Sequence, residues 1–146
     1  MNTAIRLLFP AYSGGNDASL SWLLLSFRVL FGVLLMSHGI GKIMDFDNLS
    51  AVFPDPLGVG REMSLSLAIF GEVVCSVGFI LGLLYRLALI PMMFTMATAL
   101  FVIHAGDTFA VKELAFTFLC VFIIMWIAGP GKYSADYLIS RRLPAH

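Results

Sequence analysis

Four stretches of about twenty apolar residues leave this chain few ways to fold, because about 20 are what a helix needs to cross roughly 30 Å of hydrocarbon. They run over residues 20–42, 63–84, 86–105 and 112–129. The last is the shortest, but it is dense in Phe, Ile and Leu and reaches Trp126, a residue favoured at the membrane interface. Of the 146 residues 60% are hydrophobic and 12% charged, too few to wet the surface of a soluble domain. The formal net charge of zero leaves no basic surplus to neutralise phosphates, which excludes nucleic acid as a partner.

The second and third stretches are joined by little more than Leu84–Arg86, and the third and fourth by a few residues around Ala105–Asp107. Such short links make the joined helices antiparallel neighbours. The expected architecture is an all-α, four-helix up-down bundle, one membrane domain over residues 1–146, with the lipid bilayer as its first partner. Residues 43–62 form the longest link. Asp45, Asp47, Asp55 and the run Phe53-Pro54-Asp55-Pro56-Leu57-Gly58 give it turn chemistry, without helical periodicity, in the position of a lid. Residues 1–19 lack the apolar core of a signal peptide and read as an interfacial lead-in. The side of the bundle with both termini holds Arg6, Arg86, Lys132, Arg141 and Arg142, against Lys42, Arg61 and Lys112 opposite. This bias predicts an inner-membrane protein with cytoplasmic termini.

Ionisable residues inside the spans are the candidates for function, since each is costly in hydrocarbon and faces a partner or a cavity. On the first span Arg28, His38 and Lys42 fall within about 80° of one another, with Gly32 and Gly39 on the same side. On the second, Glu72 shares a face with Cys75, Ser76, Gly82 and Arg86. Arg28 comes out about 5 Å to one side of the midplane and Glu72 about 2 Å to the other. These depths predict a buried Arg28–Glu72 charge pair, either a structural lock between helices or a proton-linked site.

Depth also groups His38, His104 and Glu113 at roughly 10–13 Å outward of the midplane, with Lys42, Asp107 and Lys112 at the rim. His38, Lys42, His104 and Glu113 are therefore the expected ligand-binding residues. Such a set can hydrogen-bond the carbonyls of a quinone and exchange its protons. Two His and a carboxylate also suit a metal, and two His a haem iron, while each residue can equally anchor its own helix end. Cys75 and Cys120 stand in different spans with no Cys-x-x-Cys spacing, and Met92, Met93, Met96 and the helical glycines read as packing residues.

Arg28, the run His38-Gly39-Ile40-Gly41-Lys42, Glu72, and Gly82 with Arg86 occur in an order that resembles the DoxX family of bacterial membrane proteins. The segment Gly129-Pro130-Gly131-Lys132-Tyr133-Ser134-Ala135-Asp136 resembles that family's Gly-x-Gly…Ser-x-Asp closure, with Ala135 where a larger apolar residue is common. The resemblance covers roughly residues 20–138. It implies four spans and an association with redox work, including quinone-reducing thiosulfate oxidation and thiol or oxidant defence. Three functions follow as expectations: a quinone-linked redox subunit serving a partner redox protein, a non-catalytic anchor or assembly subunit, and a small proton-coupled transporter working as an oligomer. No residue is assigned as catalytic.

Overall fold

The computed structural model describes residues 18–142. The lead-in and Arg6 lie outside those residues. Four helices are long and apolar enough to span a bilayer: α1 (Ala18–Met44), α3 (Arg61–Leu81), α4 (Tyr85–Ile103) and α5 (Phe109–Ala128). Two short helices complete the described chain, α2 (Phe46–Val52) after α1 and α6 (Ala135–Arg142) after α5. The expected all-helical bundle is therefore present, with boundaries within a few residues of the apolar stretches.

The link before α3 departs from expectation. Residues 43–62 were expected to lack helical structure, yet Phe46–Val52 forms about two helical turns. Phe46, Leu49 and Phe53, at i, i+3 and i+7, are each partly buried. That spacing gives the segment one apolar edge to lay on the bundle despite its acids.

The helices pack in the order α1, α3, α4, α5, while α1 touches α5 only lightly. Small residues set the close approaches. A Cβ on Gly39 of α1 would stand 2.9 Å from the Glu72 Cβ, and one on Gly71 of α3 would stand 2.6 Å from the Thr95 hydroxyl of α4. Backbones can meet this closely in lipid only where side chains are missing. The core is apolar and continuous, built from Leu35, Phe79, Tyr85, Leu89, Met92, Met96, Phe118, Phe122 and Met125. Trp22, Leu30, Val33, Ile90, Phe94, Ile124 and Ile127 face outward, as a lipid-solvated surface requires.

Two of the spanning helices widen locally. Phe70–Val74 of α3 and Ala99–Ile103 at the end of α4 are π-helical. Such turns occur mostly as isolated irregularities and often at functional sites. Here both border the same polar region.

Candidate functional site

The polar residues of the spans sort into two groups at opposite ends of the bundle. At the end that holds α6, Arg28 lies buried and donates only to main-chain oxygens: Nε to Phe79 at 3.0 Å, Nη1 to Pro130 and Tyr133 at 2.8 Å each, and Nη2 to Ile80. The expected Arg28–Glu72 pair is thus not formed. Phe79 and Ile80 lie about 11 Å along α3 from Glu72, and the carbonyls at a helix end offer both hydrogen-bond acceptors and negative dipole charge. A planar fork of five donors fits four carbonyls from two segments as no lysine can.

Asp136 completes this end. Its carboxylate accepts from the Leu84 and Tyr85 amides at 2.8 Å each, capping the first turn of α4. Burial pushes the Asp136 carboxyl up from its ordinary value, and these amides with Arg28 pull it back. Gly82, in the left-handed region at φ +64°, makes the turn. A Cβ there would stand 2.5 Å from the Ser134 Cβ and 2.7 Å from Arg28 Nη2. The motif Gly129–Asp136 is therefore a structural clasp. It ties α1, α3, α4 and α6 together through backbone groups.

The opposite end, beside α2, contains the cavities. Glu72 is held inward by the π turn of α3, and its Oε2 pairs with Lys42 Nζ at 2.5 Å. Gly39 lets α1 lie directly on Glu72, and Lys42 follows it by one helical turn, so the ammonium arrives beside the carboxylate. The Glu72 side chain is 5% exposed and that of Lys42 is 25%. Among the described residues no protein donor reaches Glu72 Oε1.

This ion pair stands between two cavities. The larger, about 420 Å³, lies between α3 and α4 and reaches down to Pro91 and Thr95. Its roof is the Phe53–Leu57 loop, where the sequence placed a lid. Asp55 shapes that roof by accepting from Ser64 Oγ at 2.7 Å and from the Val59 and Gly60 amides at 3.0 and 2.8 Å. These bonds, led by that from Ser64, hold the Asp55 carboxyl below the usual range. The smaller cavity, about 190 Å³, opens where α1 and α5 are lightly packed, and His38, Leu114, Ala115 and Phe118 line it. Lys42, Glu72, Ala99 and His104 border both.

Three of the four expected ligand-binding residues therefore converge. His38 and His104 face the smaller cavity together, and Lys42 joins them from above. His104 Nδ1 meets Asp107 Oδ2 at 2.7 Å, which leaves Nε2 for the cavities. Glu113 does not join them; it is exposed on the outer face of α5 and borders neither cavity. Helix α5 is turned so that Leu114 and Ala115 line the smaller cavity instead. Among the described residues no three His, Cys, Asp or Glu side chains group as a metal site, because the expected carboxylate of Glu113 is turned away. Lys112 donates to the Ala105 carbonyl at 3.2 Å and anchors its helix end. Glu72 is the residue whose placement depth alone misassigned, since it belongs with the His–Lys group and not with Arg28.

Relatives are consistent with the fold and the setting. The chain is 28% identical to an uncharacterized membrane protein of Mycobacterium tuberculosis, with 81% of this chain and 82% of that protein covered. It is 32% identical to the inner membrane protein YqjF of Escherichia coli over 79% of this chain and 90% of that one. No solved structure gives a significant match. The DoxX family profile matches residues 23–105, which carry α1, α3, α4, the Lys42–Glu72 pair and His104, and the chain belongs to the DoxX family.

Proposed function

We propose that the chain is a quinone-binding subunit of a bacterial inner-membrane redox system, with the larger cavity as the quinone site. The observation that carries this reading is the Lys42–Glu72 pair and His104 set at the edge of an otherwise apolar cavity of about 420 Å³. Cavities of this size and composition hold ring-sized ligands oriented by a few polar groups. Lys42 and His104 Nε2 can donate to ring carbonyl oxygens, and Glu72 Oε1 can accept from a ring hydroxyl. Phe70 and Phe94, both half-exposed on the lipid surface, flank the cavity and give a lateral way in for a lipid-soluble molecule. A bound quinone supplies the electron chemistry. The chain supplies orientation, a dry apolar wall and proton-exchanging groups.

The cytoplasmic placement of the termini belongs to the same proposal. Arg86, Arg141 and Arg142 lie at the clasp end, and Arg86 stands over the Trp126 ring at 5.6 Å, an interfacial arrangement of aromatic and cation. The quinone site then lies towards the outer leaflet.

Native mass spectrometry of the protein in lipid discs tests the site. The expected result is a quinone held at fixed stoichiometry by the wild type, lost in Lys42→Met and His104→Ala, and kept in Glu113→Ala. A wild type that holds no quinone at saturating quinone in the disc overturns the reading.

A further inference from the structure

We propose that the smaller cavity is an aqueous vestibule that carries protons between Glu72 and the membrane surface by way of His38. The two cavities meet at one ion pair but open in different directions. The larger opens past Phe70 and Phe94 on the α3 and α4 side, and the smaller opens between α1 and α5 beside His38. This deepens the reading above and rests on it for the occupant of the larger cavity alone.

Three observations point the same way. His38 lies six residues before the end of α1, about 9 Å along the helix from that end, and is nonetheless exposed. An imidazole facing hydrocarbon is disfavoured, whereas one at a water-filled mouth is solvated. The volume of about 190 Å³ admits several water molecules. Those waters find polar partners in His38, His104, Lys42 and Glu72, which line one small space.

The charged and titratable groups around Glu72 are few. Lys42 and His38 come from α1 and His104 from the end of α4, with Asp107 fixed on His104. Helix α5 presents only Val111, Leu114, Ala115 and Phe118, since Glu113 is turned outward and Lys112 is bonded to Ala105. In the loop, Asp55 is engaged by Ser64. The transfer is a plain acid–base exchange. A hydroxyl in the larger cavity gives its proton to the Glu72 carboxylate at Oε1; that O–H bond then breaks, vestibule water takes the proton, and His38 accepts one from that water and returns it to bulk water. Glu72 is left as the carboxylate paired with Lys42.

Cysteine labelling in lipid discs tests the vestibule without any quinone. Ala115→Cys places a thiol in the smaller cavity and Ala68→Cys one in the larger, each in a chain with Cys75 and Cys120 replaced by Ala. A charged, membrane-impermeant methanethiosulfonate is expected to label Ala115→Cys at least about tenfold faster than Ala68→Cys. Equal rates, or an unreactive Ala115→Cys in a chain that folds by circular dichroism, overturn the proposal. Protection of Ala68→Cys from N-ethylmaleimide by a short-chain quinone reports separately on the larger cavity, so loss of that protection alone counts against the quinone reading.

A second measurement reads the proton itself. The infrared carboxyl band that is absent in Glu72→Gln is expected to shift within the mixing time in heavy water. It is expected to slow at least about tenfold in Ala115→Trp, which fills the vestibule, and to slow in His38→Gln. Exchange at the wild-type rate in both variants overturns the route.

Discussion

Each buried charge in this bundle has a partner of its own kind, and the partners differ in what a substitution does. Lys42 and Glu72 neutralise each other directly, so removing either leaves an uncompensated charge. Lys42→Met and Glu72→Gln are each expected to lower stability by about 3 kcal/mol or more, and the double variant by clearly less than the sum. Denaturant titration of the four proteins in one detergent gives the coupling. Asp55 acts on the loop alone. Its depressed carboxyl contributes loop stability that is fully present above the ordinary aspartate value and is lost as pH falls through the lower folded value. The roof is therefore expected to hold down to about pH 4 and to loosen only below it, while Asp55→Asn loosens it at neutral pH. The amide chemical shifts of Val59 and Gly60, followed against pH, check both statements.

Among the elements, the spans were legible because length and apolarity alone decide them, and α1, α3, α4 and α5 coincide with the four apolar stretches. The short α2 was not, because Asp45, Asp47 and Asn48 mask a three-residue apolar edge. The site was half legible. His38, Lys42 and His104 line one cavity, but helix rotation is set by packing, which turned Glu113 outward. Arg28 was misassigned for a different reason: its four acceptors are main-chain carbonyls, which no residue letter announces. The same clasp makes a sharp element-level prediction. Gly82→Ala puts a methyl into a left-handed turn already filled by Ser134 and Arg28. It is expected to cost at least about 2 kcal/mol, whereas Gly106→Ala, with open space around it, is expected to cost less than about 1 kcal/mol. Paired thermal melts of the two variants decide it.

For the molecule as a whole, the two ends are built differently, one closed by hydrogen bonds to backbone and the other opened by two cavities. Hydrogen exchange is expected to follow that division, with the amides of Leu84 and Tyr85 protected far longer than those of the α4 π turn, Ala99–Ile103. Comparable protection at both ends, measured by exchange mass spectrometry in lipid discs, would contradict a clasp that holds the bundle from one side. Orientation is the companion prediction. Under the proposed orientation, a reporter fused after His146 is expected to be active only in its cytoplasmic form.

The clasp also bears on how the chain is made. Arg28 sits in α1, yet two of its four acceptors, Pro130 and Tyr133, are synthesised about a hundred residues later. At roughly 5–20 residues per second that interval lasts several seconds, during which α1 carries a guanidinium whose final acceptors do not yet exist. A chain released before residue 130 lacks two of the four acceptors of that arginine, so the clasp closes only once the last of its segments has been made.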